Sequence, residues 1–531
     1  MGILLKDIAL PLEEEESTLQ RKAAETLKIS PEQILKLKII RKSLDARWKN
    51  RIHFVYALEL TLAAAEEKKV LDHPPPGLQI QKVTETPARV TARIQKKPAK
   101  RPVIVGTGPA GLFAALKLAE NGLPPLILER GKEVPGRVKD VEKFWQDGTL
   151  EPESNVQFGE GGAGTFSDGK LYTRLSDPRV SAILETFHRF GAPAEILFLQ
   201  RPHLGTDRLR RVILALRQHL QAQGVEFRFQ SKVTGLKIFH DEFQGVVVNE
   251  SEEINSSLLF LALGNGARDT FRMLQSSGVA LEPKPFAIGL RVEHPQRIID
   301  RIQYGRSAGH PRLPPADYQL THRASMGRAV YSFCMCPGGS VIAASSESRG
   351  LVTNGMSLFR RNSPWASSAL VVSVGIEDFG GSGPLAGLEF QRRWEETAYR
   401  LGGGNFRAPA QGVQDFLQDR DPSLVRETSY NPGITPARLD ECLPAFVRES
   451  LREALPYFDR KMSGFISSEA VLIGIETRTS CPLRILRNEG YQSQNVQGLY
   501  PIGEGSGYAG GIISSALDGM KAAEAVLEKF G

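Results

Sequence analysis

The stretch VIVGTGPAG, residues 103–111, decides the fold of this chain. A short apolar strand enters a glycine turn, and an alanine-rich helix is predicted over residues 110–120. A second strand, LILE at 126–129, follows the helix. A strand, turn, helix and strand with glycines spaced G-x-G-x-x-G are the fingerprint of a Rossmann-type dinucleotide-binding domain.

The residues of this turn have separate physical roles. Gly106 permits the tight turn, Gly108 lets a pyrophosphate approach the backbone, and Gly111 lets the helix pack against the strand. The helix starts at Pro109, which has no N–H, and the free N–H groups from Ala110 onward and the partial positive charge of this helix end are available to the phosphates. A structural glycine turn without a ligand is the alternative interpretation.

An acidic residue follows the second strand. Glu129 comes close to the expected ~20 residues after the turn, and is therefore predicted to accept hydrogen bonds from ribose hydroxyl groups. Arg130 is its neighbour in the predicted site. This fingerprint alone does not distinguish FAD from NAD.

A C-terminal motif favours FAD. GLYPIGEG (498–505) precedes a second glycine pair and a long predicted helix. It resembles the second flavin motif of the glutathione-reductase-like superfamily. The resemblance implies that the acidic residue binds the ribityl–pyrophosphate region and that the helix N-terminus faces the flavin pyrimidine, where its dipole favours negative charge. The residues assigned in this way are Gly503, Glu504, Gly510, Gly511 and Ile512.

Three other segments fit an FAD-binding domain of this kind. The strand LLFLALGNG (258–266) contributes Gly264 beside FAD, and the backbone of Val233 is expected to meet the adenine. The loop GEGGAG (159–164) places Gly161 and Gly162 beside the flavin or the pyrophosphate. A glycine-rich turn with no ligand remains the alternative for this loop. Asp168 and Lys170, just after it, are possible polar contacts.

Several long stretches are similar to a family of bacterial FAD-dependent dehydrogenases that is largely uncharacterised. This resemblance implies an FAD cofactor, and RKSLDAR (41–47) fits the family's extra N-terminal domain. Asn265 departs from the family pattern, and Cys481 stands where serine is expected. The stretches are GRVKDVEKFW (136–145), SNVQFGEGGAGTFSDGKLYTR (154–174), GARDTF (266–271), GLRVEHPQRIIDRIQYG (289–305), FCMCPGG (333–339), NGMS (354–357) and ETRTSCPLRI (476–485).

Catalytic residues stay unassigned from the sequence. Arg291 and His294 lie on or just after a strand predicted over 287–292, and a histidine could move a proton to or from a reduced flavin. Arg478 could stabilise an anion. A structural role is the alternative for all three side chains.

Cys334 and Cys336 lie two residues apart in an apparent strand. A regular strand would put their Cα atoms ~6.6 Å apart, near the upper limit for a disulfide. We therefore expect reduced, structural cysteines rather than an obligatory redox couple. No metal site is expected, because no second cysteine pair or histidine spacing accompanies them.

Composition limits the class of protein. The 531 residues carry a formal net charge of +7 and four cysteines, and no stretch reaches the ~18 apolar residues of a membrane span. A cytoplasmic protein is predicted, because four cysteines are too few for a disulfide framework. Nucleic-acid binding is not expected, because no RNA-binding signature is present. A helix is predicted to begin at Ser30-Pro31. The densest cluster of basic residues is expected to be scattered around this helix and the loop after it, and consists of Lys36, Lys38, Arg41, Lys42, Arg47, Lys49 and Arg51.

These observations predict an α/β protein in which a discontinuous Rossmann-type FAD domain holds an inserted mixed α+β domain. The predicted parts are a small α/β domain (1–74), a linker (75–100), the first FAD segment (101–284), the inserted substrate or cap domain (285–462) and the last FAD segment (463–531).

The expected function is an FAD-dependent oxidoreductase with hydride transfer at flavin N5 and a small-molecule substrate. A flavin-dependent RNA-modifying enzyme and a non-catalytic FAD-binding regulatory protein are the alternatives. In mid-chain, no further G-x-G-x-x-G turn of the NAD(P)H-binding kind follows a predicted strand, so the electron donor has no recognisable domain, although NAD(P)H is possible.

Overall fold

The small first domain is an antiparallel sheet covered by helices. In the computed structural model, which describes residues 2–75, 78, 80–83, 97–423 and 426–531, its strand order is β2-β3-β1-β4. Strand β4 lies inside the predicted linker, so the domain extends past residue 74. Residues 76, 77, 79 and 84–96 of that linker lie outside the described residues. The elements are β1 (Gly2–Pro11), α1 (Leu19–Leu27), β2 (Ile34–Asp45), β3 (His53–Leu62), α2 (Ala64–Asp72) and β4 (Ile80–Val83).

The prediction that a helix begins at Ser30-Pro31 is wrong. The Ser30 N–H donates to Gln33 Oε1 at 2.8 Å, so the local capping signal is present. Only a 3-10 turn forms, however, because strand β2 then pairs with β3 along its whole length. That ladder and its side-chain packing override the local preference. Lys36 and Lys38 therefore lie exposed on an edge strand and not around a helix.

The second domain begins with the predicted β-α-β unit. Parallel strands β5, β6 and β7 lie side by side, and β11 pairs with β5 on the other side. Strands β8, β9 and β10 form a separate antiparallel sheet. The elements are β5 (Val103–Val105), α3 (Pro109–Glu120), β6 (Leu126–Leu128), α4 (Val134–Asp147), α5 (Arg179–Arg189), α6 (Gly205–Ala222), β7 (Glu226–Arg228), β8 (Val233–Phe239), β9 (Glu242–Val248), β10 (Glu252–Asn255), β11 (Leu259–Leu261), α7 (Arg268–Ser276) and β12 (Leu281–Pro283).

The inserted domain is built on a seven-stranded sheet with the order β14-β15-β18-β13-β21-β19-β20. Strand β21 lies beyond residue 462, in the segment predicted to return to the FAD domain. It is fully buried between β13 and β19, which corrects that boundary. The elements are β13 (Phe286–Pro295), α8 (Gln296–Tyr304), β14 (Thr321–Arg323), β15 (Ala329–Cys336), β16 (Ser340–Ala343), β17 (Thr353–Met356), β18 (Trp365–Val374), α9 (Ala386–Leu401), β19 (Ala408–Gly412), α10 (Val413–Leu417), β20 (Ile434–Pro436), α11 (Ala445–Lys461) and β21 (Val471–Glu476).

The C-terminal segment completes the Rossmann-type sheet. Its elements are β22 (Leu483–Ile485), β23 (Leu499–Pro501) and α12 (Ile512–Phe530). Strand β23 pairs in parallel with β11, which gives the sheet order β23-β11-β5-β6-β7. Helix α12 packs against α3, so the two segments of the domain share one core. The predicted fold class is confirmed.

No helix among the described residues is long and apolar enough to cross a bilayer. Within the same ranges, no group of three or more histidine, cysteine or acidic side chains is arranged to hold a metal ion.

His294 lies at the end of β13 and is completely buried. Its Nε2–H donates to the carbonyl oxygen of Phe465 at 2.8 Å, and Nδ1 has no hydrogen-bond partner among the described residues. Burial lowers the pKa of the His294 imidazole to about 4, because a second proton on Nδ1 would have no acceptor.

The fold should therefore lose stability in mild acid. Unfolded histidine has a pKa of about 6.5, so the unfolded chain binds this proton first as the pH falls from about 6.5 to 4. Between pH 7 and pH 5 we expect His294 to remove about 2 kcal/mol from the free energy of unfolding. Urea unfolding at the two pH values should show a smaller difference for His294→Gln than for wild type. The same difference in both proteins would contradict this account, and the exposed His73→Gln is the control.

Candidate cofactor site

A cavity of about 490 Å³ lies at the carboxyl ends of the parallel strands. It extends from the glycine turn at Gly106 to Cys334 on β15 of the inserted domain. This edge of an open parallel sheet is where α/β proteins bind nucleotides. The sequence-predicted residues in its wall are Gly106, Gly108, Pro109, Ala110, Glu129, Arg130, Gly162, Val233, Gly264, Gly503, Glu504, Gly510, Gly511 and Ile512.

Gly111 and Gly161 shape the cavity from outside its wall. A Cβ on Gly111 would lie 2.1 Å from the carbonyl oxygen of Gly106, and one on Gly106 would lie 2.4 Å from that of Ala262. Only glycine fits these approaches of backbone to backbone. Helix α3 then begins at the cavity with Gly108 as its N-cap and no side-chain cap, so its first N–H groups remain available for an anion.

The carboxylate of Glu129 is occupied by the protein itself. Oε2 accepts from the Thr107 N–H at 3.0 Å and from its hydroxyl at 2.5 Å. Oε1 accepts from the N–H groups of Gly131 at 2.9 Å and Gly159 at 3.0 Å. These four bonds fill the acceptor capacity of a carboxylate. Glu129 thus connects the first turn to the second glycine loop. The sequence predicted Glu129 as a ligand of the ribose and did not indicate this structural role.

Arg137 on α4 is the main support of that second glycine loop, and the sequence analysis missed it. The side chain is completely buried and donates to five backbone carbonyl groups. Burial lowers the pKa of the Arg137 guanidinium to about 9, and the nearby carboxylate of Glu129 opposes this change. The residue lies in GRVKDVEKFW, which signalled only a family resemblance. The accepting carbonyls, at 2.7–3.1 Å, belong to Asn155, Val156, Gly159, Glu160 and Gly162.

Charged side chains surround Arg130 at the end of the cavity beside the first turn. Its guanidinium forms hydrogen bonds of 2.9 and 2.8 Å with Asp269 and one of 2.6 Å with Glu153. It also lies 4.0 Å from the ring centroid of Phe158. These contacts hold the guanidinium rigidly against the cavity wall.

Glu504 lies in the middle of the cavity wall. Asn265 donates to its Oε1 at 2.9 Å. Burial raises the pKa of the Glu504 carboxyl to about 7, although Lys284 and the Asn265 hydrogen bond oppose the change. Asn265, which departs from the family pattern, therefore orients this carboxyl group.

Helix α12 also begins at the cavity. Its N-cap, Gly511, has no side-chain cap. Both helices that the sequence motifs predicted thus bring uncapped N-termini to one cavity, where they favour negative charge on a ligand.

The opposite end of the cavity is lined by Lys170, Tyr172 and Tyr318. Lys170 Nζ lies 3.2 Å from Asp168 Oδ2 and donates to the carbonyl oxygen of Met335 on β15. The Asp168 charge raises the pKa of the Lys170 ammonium despite its burial. The two residues that the sequence singled out as possible polar contacts thus form one ion pair here.

The three catalytic candidates lie in different places. Arg478 is in the cavity wall and pairs with buried Glu395 at 3.1 Å. Arg291 is completely buried behind the wall, where Nε donates to Glu476 at 2.9 Å. His294 lies beyond Arg291 on β13 and does not line the cavity. The structure therefore does not bring the three side chains together.

Comparison with known proteins supports a flavoprotein. The family model described as "FAD-dependent protein, C-terminal domain-like" matches residues 285–479, and an NAD(P)-binding Rossmann-like domain matches 104–169. A domain of unknown function matches 3–61. The cavity and these matches define the class: the chain is an FAD-binding protein with a Rossmann-type domain.

A relative over the full length then places the chain in a family. It is 46% identical to an "Uncharacterized protein" of Clostridium beijerinckii over 534 residues, which cover 100% of this chain and 99% of the relative. The chain belongs to the same family as that clostridial protein.

Three solved flavoproteins resemble the chain at low identity. The flavin-dependent brominase Bmp2 is 12% identical with a TM-score of 0.37, covering 81% of this chain and 79% of its own. The E. coli quinol fumarate reductase FrdA is 12% identical with a TM-score of 0.36, covering 81% and 70%. Glycine oxidase from Bacillus cereus is 11% identical with a TM-score of 0.34, covering 81% and 95%. No functional conclusion rests on likenesses at this level.

Arg137 gives a direct test of how the site is built. Arg137→Met should lower the free energy of unfolding by at least ~3 kcal/mol, because several buried carbonyl groups lose their donor at ~1–3 kcal/mol each. Exposed Arg189→Met should change it by less than ~0.5 kcal/mol. Denaturant unfolding measures both values. If Arg137→Met were as stable as wild type, the loop would not depend on this side chain.

Proposed function

We propose that the chain is an FAD-dependent dehydrogenase or reductase that transfers hydride between flavin N5 and a small molecule. One observation supports this most strongly: a single cavity extends from the Rossmann turn at Gly106 to the inserted sheet at Cys334. Its volume of about 490 Å³ is typical of cofactor and substrate sites. FAD taken up at the turn therefore leaves the other end, next to the sheet, for the substrate.

The described residues fit FAD along the cavity. We assign the pyrophosphate to the turn of Gly106 and Gly108 and to the N-terminus of α3, whose N–H groups are uncapped. A Cβ on Gly162, which has a φ of +64°, would lie 3.0 Å from the Gly108 Cα, so glycine at 162 lets the two loops approach each other beside the ligand. We assign the backbone at Val233 to the adenine, and the start of α12 to the pyrimidine edge of the flavin.

When bound, FAD supplies the hydride chemistry. The chain supplies position, charge and a proton-holding group. Glu504, held by Asn265 and with a pKa of about 7, can hold or release a proton near neutral pH. The N-terminus of α12 stabilises negative charge on the ligand beside it. Arg478, fixed by Glu395, adds a positive charge to the same wall.

We assign the substrate to the end lined by Lys170, Tyr172 and Tyr318. Lys170 and the two tyrosines can hold the polar groups of a small molecule, and strand β15 of the inserted sheet lines that end of the cavity. Within the part of the chain that the structure describes, one Rossmann-type sheet carries the nucleotide-binding turn, so we propose that NADH, NADPH or another hydride donor uses the same end in alternation with the substrate.

Anaerobic mixing of the yellow protein with NADH, NADPH and candidate metabolites tests this proposal. We expect one donor to bleach the flavin at a rate well above that of free FAD. Gly111→Ala should bind FAD at least tenfold more weakly, or ~1.4 kcal/mol, because its Cβ would collide with Gly106. Gly381→Ala, whose Cβ would lie 3.8 Å from its nearest neighbour, should bind FAD like wild type.

The outcomes separate the alternatives. Bound FAD that no donor reduces would favour a non-catalytic FAD-binding protein. Flavin reduction followed by reoxidation only with an RNA substrate would favour an RNA-modifying enzyme. Tight FAD binding by Gly111→Ala would show that the cofactor does not occupy the Rossmann turn.

A further inference from the structure

Strand β15 contains a bulge at the point where it reaches the cavity. Its pairing with β18 is regular up to Phe333 opposite Ala369, and then resumes at Cys336 opposite Ser367. One extra residue therefore lies on the β15 side. Cys334 takes a left-handed conformation, with φ of 45°. The regular strand spacing assumed from the sequence is thus wrong for this pair.

A left-handed residue other than glycine is uncommon within a strand. Such strained residues and bulges concentrate at functional sites. Here the bulge places Cys334 in the cavity wall, partly exposed, while Cys336 is completely buried behind it. The two sulfur atoms thus differ in access to a ligand.

Buried polar contacts hold the bulge in place. The carbonyl oxygen of Cys334 accepts from Arg291 Nη1 at 3.2 Å and from the Cys336 thiol at 3.3 Å. Lys170 donates to the carbonyl oxygen of the next residue, Met335. Arg291 is in turn fixed by Glu476. Arg291 is therefore a positioning residue for Cys334, and not a group that contacts the ligand.

The charges around Cys334 favour its thiolate. The interaction with Cys336 is the largest factor that lowers the pKa of Cys334, and the charges of Lys170 and Arg291 lower it further. Burial and the carboxylate of Asp168 act in the opposite direction, and the net direction is well below the ordinary value of a thiol. Glu476, on strand β21 next to β13, forms an ion pair with Arg291, and burial raises the pKa of its carboxyl group.

The two remaining cysteines have the properties of structural residues. Cys442 and Cys481 are completely buried, and burial raises the pKa of each thiol to about 12. Neither lies in the cavity wall. The pair on β15 therefore differs from them in access, in surrounding charge and in having a second thiol beside it.

We propose that Cys334 and Cys336 form a redox-active dithiol that exchanges two electrons with the flavin, and that the cavity accepts a thiol or disulfide at Cys334. This inference depends on the proposed function, because it needs bound FAD. In oxidation, the S–H bond of Cys336 breaks and an S–S bond forms to the thiolate sulfur of Cys334. The electron pair passes to the flavin ring, and the Cys336 proton accompanies it.

The pattern of access assigns the roles of the two sulfurs. Cys334 faces the cavity and carries the thiolate, so it is the sulfur that attacks or is attacked by an outside disulfide. Cys336 is buried and protonated, and resolves the mixed disulfide.

Counting electrons tests the dithiol directly. The air-oxidised holoprotein is titrated anaerobically with dithionite until the flavin is fully reduced. We expect four electrons per FAD for wild type, two for the flavin and two for the disulfide. Cys334→Ser and Cys336→Ser should each take up two. Cys442→Ser should still take up four.

Thiol labelling of the wild-type protein gives a second readout that needs no variant. The peptide containing Cys334 and Cys336 should carry no iodoacetamide label before reduction and two labels after it, measured by mass after denaturation. If the holoprotein takes up only two electrons and both thiols are labelled before reduction, the inference is overturned. A protein that binds no FAD would instead contradict the proposed function.

Discussion

The cofactor site depends on one buried side chain, the guanidinium of Arg137. No carboxylate of the described residues forms an ion pair with it, and its N–H groups donate to the carbonyl groups of the loop 155–162. A buried charge is costly unless its hydrogen bonds are made, so the loop and the arginine stabilise each other. Glu129 then joins this loop to the Rossmann turn through Thr107 and Gly159. The two glycine-rich backbones that face the cavity are thus held by a buried arginine and a buried glutamate.

The inserted domain completes the cavity from the other side. Its sheet presents the bulge of β15, where Cys334 meets the charges of Lys170 and Arg291. The phosphate-binding end of the cavity is therefore built by the Rossmann-type domain, whereas the reactive end combines Lys170 of that domain with Cys334 and Arg291 of the inserted domain. This division accounts for a chain in which the nucleotide motifs lie near 103–129 and 498–512 while the cysteine pair lies between them.

The parts of the structure that the sequence predicted are those governed by local rules. The turn at Gly106 and helix α3 follow from glycine spacing and apolar periodicity, and β23 with α12 follows from the second motif. Contacts between distant segments were not predictable. The pairing of β2 with β3 overrode the capping signal at Ser30, and the pairing of β21 moved a domain boundary. The role of Arg137 and the bulge at Cys334 depend on partners that no local spacing indicates.

The central claim is that FAD binds in the cavity that extends from the Rossmann turn to β15 and leaves the end at β15 open. A crystal structure of the yellow holoprotein tests this most directly. The account predicts the pyrophosphate at the N-terminus of α3 and the isoalloxazine ring beside Glu504, with the open end of the cavity at Cys334. A flavin bound elsewhere, or a ring turned away from β15 with Cys334 sealed off from it, would contradict the account.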